Sequence, residues 1–377
     1  GQMLHQAVYI PEFSIHEDKG TKVQTPIMVN LQEWFDQTEI GTPPDEAAYA
    51  ALVTDLVHLK ELRGQGEVGT RINYDVPGTR SLFTKTARRA DRLEAPFTEA
   101  VLDIDEDWAD PALWQAMRTA ASPYTMNFYL AALDMRRSET GEIVAVSENR
   151  QIRVKLFMRT LTLSIIITVT CFLLAFPIAH LLATLPLRYS NLLMILVLLP
   201  FWTSLLVRTT SWIVLLQSQG VLNDILVSTG IVGPDGRVQL IYNEIGTVIA
   251  MTHILLPFMV LPLFSVMRTI NPSYVRAARS LGATSWTAFR RIYLPQCVPG
   301  IGAGALLVFI LAVGYYITPA LVGGAKGTLI SNEIAFHMTD SLNWSLAAAL
   351  AALLLAGVLA LYRLYDRLVG IDNLKLG

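Results

Sequence analysis

Charge is scarce in this chain of 377 residues: Asp, Glu, Lys and Arg make up 16% of it, where a typical globular chain has about 25%. Its two cysteines, Cys171 and Cys297, lie far apart in or beside apolar runs. They supply neither a disulfide framework nor a cysteine metal site. No Gly-x-x-x-x-Gly-Lys-[Ser/Thr] string occurs; Gly323-Gly-Ala-Lys-Gly-Thr328 has the wrong spacing, so any ATP must be hydrolysed by another polypeptide. His-Glu-x-x-His and Gly-x-Ser-x-Gly are also missing, which removes two common routes to hydrolytic chemistry. Residues 1–15 lack both the basic start and the apolar core of a signal peptide.

What the chain has is hydrophobic length, with 53% apolar residues unevenly placed. Residues 1–157 carry 16 Lys/Arg against 24 Asp/Glu, a balance of −8, and residues 158–377 carry 13 against 7, a balance of +6. The chain therefore reads as an acidic soluble region, 1–157, followed by a membrane domain, 158–377. A helical span needs roughly 20 mostly apolar residues. Five segments meet that length, at about 158–184, 191–217, 246–268, 298–320 and 345–368. Small-residue runs from Gly300 to Ala305 and Ala347 to Gly357 suit close helix contacts.

Arginine distribution orients these spans. The segment between the third and fourth holds Arg268, Arg276, Arg279, Arg290 and Arg291 and no acid. The 185–190 link has Arg188, and the tail has Arg363, Arg367 and Lys375. The 218–245 and 321–344 loops instead hold Asp224, Asp235, Glu244, Glu333 and Asp340 against Arg237 and Lys326. The first three segments are expected in the cytoplasm and the last two outside, which places residues 1–157 outside as well. An external start without a signal peptide leads to the expectation of one further transmembrane helix before Gly1.

The 269–297 segment is the most informative. Asn271 suits a helix N-cap, Pro272 a first helical position and Gly282 a left-handed helix end. Thr284 or Ser285 caps a second short helix, expected to stop near Leu294-Pro295. Ala277, Ala278 and Leu281 share one face of the first helix, and Phe289 and Ile292 one face of the second. The result is an apolar ridge flanked by arginines, which needs a soluble partner to cover it.

The spacing Ala-Ala-x-x-x-Gly-Ala, followed by Phe289, Ile292, Leu294 and Pro295, resembles the cytoplasmic EAA loop of bacterial ABC-importer permeases. Pro200-Phe-Trp-Thr-Ser, Leu255-Leu-Pro-Phe-Met-Val and Gly323-Gly-Ala-Lys are similar to the spermidine/putrescine branch of that family. The likeness runs from about Arg159 to the C-terminus. Where the family has Glu before the alanine pair, this chain has Arg276. The resemblance implies an all-α polytopic membrane protein with the type I ABC-importer permease fold, preceded here by an N-terminal α+β or mainly α extracytoplasmic domain. It implies a transport subunit for a small, polyamine-like solute, with no enzyme activity. ATP and Mg would sit on a separate ATPase dimer, and no cofactor on this chain. The other implied partners are a second permease subunit, an extracytoplasmic solute-binding protein and membrane lipid; nucleic acid is not among them. ATPase coupling would fall to Arg276, Ala277, Ala278, Gly282, Ala283, Phe289, Leu294 and Pro295.

Ionisable groups inside spans are costly and mark functional candidates. Arg208 and His253 qualify, and Tyr315 and Tyr316 before Pro319 could line the external mouth of a pathway. The alternative for each is structural: a carbonyl or partner-subunit contact for the first two, an interfacial aromatic belt for the tyrosines. His180, near a cytoplasmic span end, reads as reaching the headgroups.

In the N-terminal region, helical patterns cover Glu46–Leu62, Asp110–Ala121 and Asn127–Met135, and extended patterns Val23–Val29 and Ile143–Val146. Gly64, Gly66 and Gly69 read as a flexible turn. The acidic run from Asp103 to Asp110 is either a solvated face beside two core tryptophans, Trp108 and Trp114, or a docking surface. A membrane-anchored sensor or enzyme with its activity in residues 1–150, and a channel or scaffold without energy input, are the rival functions. Against the first of these, that region lacks a recognisable nucleophile–base or metal constellation.

Overall fold

The computed structural model describes residues 2–9, 12–18, 23–122, 124–138, 142–233 and 236–369. Asp235 and Lys375, used above to orient the chain, lie outside the described residues. The chain divides into two compact units, residues 1–154 with 336–353, and residues 155–335 with 354–377.

The first unit is mainly helical. Asp45 caps the helix Glu46–Glu61 by accepting from the Ala48 amide, and Asp110 does the same for Pro111–Ala121 through Ala112. These are the short polar side chains that satisfy the open amides of a first helical turn. The apolar faces meet in one core around Trp108, Phe83, Leu52, Leu56 and Met117. The Trp108 indole donates to Thr86 Oγ1 at 2.8 Å, and that of Trp114 donates to the Trp108 carbonyl at 2.7 Å. Two hairpins complete the unit. Ile15–Asp18 pairs antiparallel with Val23–Pro26, with Ile15 opposite Pro26, and Met135–Arg137 pairs with Ile143–Ala145.

Two expectations for this region need adjusting. Gly66 and Gly69 belong to a helix, Gln65–Asn73, and not to a turn. A Cβ on Gly69 would stand 2.8 Å from Arg80 Cα, so the glycine lets this helix press against Thr79–Ala87. The helix expected at Asn127–Met135 ends at Ala132, and the chain turns through Asp134 at φ 56° into the second hairpin. The acidic run is a solvated face: Asp105 pairs with Lys85 at 2.9 Å and Asp110 acts as a cap, while Trp108 and Trp114 are buried. The Lys85 hydrogen bond pulls the Asp105 carboxyl below the usual carboxylate range.

A buried carboxylate ties the unit together. Asp55, 3% exposed, reaches from the 46–61 helix to the start of Val29–Gln37, where it accepts from the amides of Asn30 and Leu31 and from Asn30 Nδ2. Burial pushes its carboxyl above the usual range, and these three donors partly offset the shift.

The helices Arg153–Thr184, Glu244–Thr269, Ser285–Gly314 and Trp344–Arg367 are long and apolar enough to cross a membrane; residues 344–353 of the last fall in the first unit, and these helices otherwise belong, from Lys155 on, to the second. The run expected at 191–217 forms two helical stretches, Leu187–Trp202 and Leu205–Ser228, bent by 96° at the Thr203-Ser204 junction. Hydropathy continues across that junction, but Pro200 supplies no amide and extended backbone at Thr203 ends the helix. Of these segments, Glu244–Thr269 is the most enclosed, with 56% of its apolar window buried against 28–39% for the other three long helices. It packs along Leu294–Gly314, where Gly300 and Gly304 bring the backbones together; a Cβ on Gly304 would meet Met259 Sδ at 2.7 Å.

Candidate functional site

The 271–297 segment folds as its local residues dictate. Asn271 Oδ1 accepts from the Ser273 amide at 3.0 Å and starts the helix Ser273–Ser280. At its end, the Gly282 amide donates to the Arg279 carbonyl and the Ala283 amide to the Ala278 carbonyl, both at 3.0 Å. That pair of bonds is a Schellman closure, which needs a left-handed residue between them. Gly282 fills the position at φ 90°, with open space where a Cβ would point. Thr284 Oγ1 then caps the next helix by accepting from Thr287 at 3.2 Å.

This second helix does not stop at Leu294-Pro295. It runs without a break from Ser285 to Gly314 and passes through one π-type turn, Phe289–Tyr293. Pro295 lacks an amide and crowds the carbonyl four residues before it, and the wider turn relieves that crowding. Gln296 Nε2 donates to the Ile292 carbonyl at 2.7 Å, satisfying an acceptor within the widened turn.

The loop is fixed to the Arg153–Thr184 helix by aromatic contacts. Trp286, Phe289 and Tyr293 stack at centroid spacings of 5.7 and 6.0 Å. Phe289 also meets Phe176 edge-on at 6.0 Å. His180 Nδ1 and the Tyr293 hydroxyl share a hydrogen bond of 2.9 Å, so His180, itself exposed, also anchors the loop. The expected coupling residues divide accordingly. Ala278, Ala283, Phe289 and Leu294 are half-buried, while Arg276, Ala277, Gly282 and Pro295 are exposed. Leu281 projects at 89% exposure, with Trp286 at 68% and Tyr274 at 55%. Trp286 and Tyr274 escaped the sequence reading; aromatic residues in a segment otherwise rich in Arg, Ser and Thr were the available signal.

A second cluster lies in the spans. Arg208 and Trp212 stand one turn apart on the helix Leu205–Leu216. Trp212 Nε1 donates to His253 Nδ1 at 3.1 Å, with the two rings 5.4 Å apart. Because an indole can only donate, His253 must accept at Nδ1, so it is the neutral tautomer with its proton on Nε2. Arg208 lies within electrostatic reach of both His253 and Tyr315. Its Nε is enclosed and has no hydrogen-bond partner among the described residues. Tyr315 and Tyr316 mark the break between Ser285–Gly314 and Ile317–Val322. Ser331 Oγ and Asn332 Nδ2 donate to their carbonyls at 2.6 and 2.7 Å. Tyr316 is 47% exposed and Trp202 89%. The structure thus brings Arg208, His253 and Tyr315 together and adds Trp212, whose i+4 spacing from Arg208 was legible but unused. Among the described residues, no group of His, Cys, Asp and Glu is placed to hold a metal ion.

Comparison with known proteins agrees with this architecture. The model of a family described as "Binding-protein-dependent transport system inner membrane component" matches residues 143–370. The spermidine/putrescine transport system permease protein PotB of Haemophilus influenzae is 38% identical over 192 residues, which cover 51% of this chain and 66% of that protein. PotB of Escherichia coli K12 is 36% identical over 195 residues, covering 52% and 70%. The chain thus spans about two thirds of the length of these relatives. Among solved structures, a bacterial ABC transporter that imports the acidic polysaccharide alginate aligns with TM-score 0.50 and 20% identity, covering 59% of this chain and 80% of that one. At that identity the likeness concerns the fold alone.

Proposed function

The chain belongs to the family of binding-protein-dependent transport system inner membrane components, and from that membership we propose that it is one permease subunit of an ATP-driven importer. It is a multi-pass inner-membrane transport component and not an enzyme, since the family itself is one of transport components. In the proposed assembly it pairs with a second permease, binds a cytoplasmic ATPase dimer and receives solute from an extracytoplasmic binding protein. ATP and Mg belong to the ATPase. The 185–190 and 269–297 links and the tail face the cytoplasm, and residues 1–157 the outside. The proposed cargo is a small, polyamine-like solute, in line with the spermidine and putrescine for which the PotB relatives are named.

The observation that supports coupling is the form of the 271–297 segment. It is locally rigid, closed by Gly282 and bolted to the 153–184 helix through Phe289 and Tyr293. It nevertheless leaves Leu281 and Trp286 uncovered between Arg276, Arg279, Arg290 and Arg291. Apolar side chains held rigidly in a basic, solvated frame suit a docking knob for a soluble partner. Solute passing the Arg208 cluster would meet the faces of Trp212 and Tyr315, with His253 held neutral. The decisive experiment is affinity purification of the tagged chain from its own membranes, followed by reconstitution. An ATPase subunit should accompany it, and solute plus binding protein should stimulate ATP turnover. A chain that purifies without an ATPase would refute the reading.

A further inference from the structure

The N-terminal unit contains a feature that transport coupling does not use. A groove of about 610 Å³ lies among the residues around Gln65–Asn73, the first hairpin and residues 342–345 of the same unit. A second hollow adjoins it and shares Gln6, Glu12 and Ser345. The size falls within the roughly 300–1,000 Å³ of small-molecule sites.

Arg71, one of the residues lining the groove, carries an unsatisfied donor. The Arg71 side chain is 2% exposed; its Nη1 donates to Asp75 at 3.0 Å, and its guanidinium lies over Phe128 at 5.5 Å. Its Nε is buried with no hydrogen-bond partner among the described residues. A buried guanidinium N–H without an acceptor is unfavourable, and the planar guanidinium matches a carboxylate. Arg63 and Arg80 line the same groove and reinforce that preference.

Glu12 stands where the two hollows join. It is open to solvent, yet the protein around it is dense enough that desolvation raises its carboxyl above the usual range. Arg71 pulls that value down and Glu67 pushes it up, so all three share one electrostatic field. On the far side of Glu12 the second hollow is lined by Gln2, His5 and Tyr9, with no Lys or Arg. Tyr74 and Trp344, 40% and 48% exposed, offer aromatic faces in the main groove. Carboxylate and aromatic faces together suit an ammonium group.

The balance of charge selects the ligand class. A dication entering the main groove would meet Arg63, Arg71 and Arg80; a dianion would meet Glu12, Glu17 and Glu67. We propose that this groove binds a small zwitterionic solute, its carboxylate on Arg71 and its ammonium on Glu12. The site is separate from the translocation reading and stands or falls without it.

Three four-carbon probes test the assignment by calorimetric titration of the purified full-length chain: 4-aminobutyrate, putrescine and succinate. The zwitterion should bind saturably, one per chain, and at least tenfold more tightly than the dication or the dianion. Glu12→Gln, at an exposed position, should leave the melting temperature of the free protein unchanged, weaken 4-aminobutyrate at least tenfold and narrow its advantage over succinate. Arg71→Lys should also weaken 4-aminobutyrate; if that variant fails to fold, Glu12→Gln decides alone. Putrescine or succinate binding as tightly as the zwitterion would overturn the proposal. So would no binding of any probe, or unchanged affinity in Glu12→Gln. Transport is not measured, so none of these outcomes bears on the permease role.

Discussion

Replacing Gly282 isolates the conformational requirement of the proposed coupling loop. Its φ of 90° lies in the left-handed region, and a Cβ there would have nothing within 4 Å. Substitution therefore adds backbone strain without a steric clash. For an ordinary L-residue that strain is about 1–2 kcal/mol, and the upper end of about 1–3 kcal/mol fits a β-branched one. At tenfold per 1.4 kcal/mol, about 1–2 kcal/mol lowers the population of the closed loop by roughly five- to thirtyfold relative to competing conformations. Asn tolerates the left-handed region better than other residues. The series Gly282→Asn, Gly282→Ala and Gly282→Val should thus show a graded loss of solute-stimulated ATP turnover in the reconstituted complex. Asn should remain near the parent and Val should fall furthest. Membrane insertion and yield should stay level across the series, because the position is exposed. Full stimulation in the valine variant would refute the reasoning.

Arg208→Ala should lower transport more than it lowers subunit assembly, while Arg208→Lys should keep part of the activity; normal uptake by the alanine variant would remove Arg208 from the pathway. Single cysteines placed in a background lacking Cys171 and Cys297 should be labelled from the cytoplasm at 185–190 and 269–297 and from outside at residue 60. Cytoplasmic labelling at residue 60 would reverse the orientation. Asp55 titrates above its unfolded value, so its protonated form is favoured in the folded unit. Its contribution to stability is fully present below the unfolded value of about 3.9 and is lost as pH rises through the raised folded value. Hydrogen exchange at the Asn30 and Leu31 amides should accordingly show the parent losing protection relative to Asp55→Asn across that window; a flat or opposite trend would contradict the assignment.

Local chemistry was the most legible part of this molecule. Asn271, Gly282 and Thr284 act within three residues of themselves, so their caps could be read without knowing what surrounds them. The helices at 46–61 and 111–121 were legible for the same reason, through Asp45 and Asp110. Three elements departed from that reading. Pro295 reads as a stop, yet a π-type turn and the Gln296 side chain carry the helix past it. Gly69 reads as part of a turn because its close approach to Arg80 leaves no local trace. The 96° bend at Thr203-Ser204 is hidden from hydropathy, which averages over it. At the cluster in the spans, Arg208 and His253 stood out as costly groups in apolar runs. Trp212 did not, because an indole in a span looks ordinary until its N–H is seen to fix a tautomer.

The continuity of Ser285–Gly314 has a mechanical consequence. Thirty residues of helix make a rod of about 45 Å at 1.5 Å per residue. One end carries the exposed Trp286; the other stops at Tyr315, within the field of Arg208. The 21 residues after the π-type turn alone form an arm of about 31 Å. A tilt of about 10° about that turn would sweep the far end through roughly 5 Å, close to one helical pitch. A loop uncoupled from the span would have to pass motion through flexible chain. In the proposed assembly, a push at Trp286 would be leverage applied at Tyr315, with the wider hydrogen-bond ring at Phe289–Tyr293 as its fulcrum.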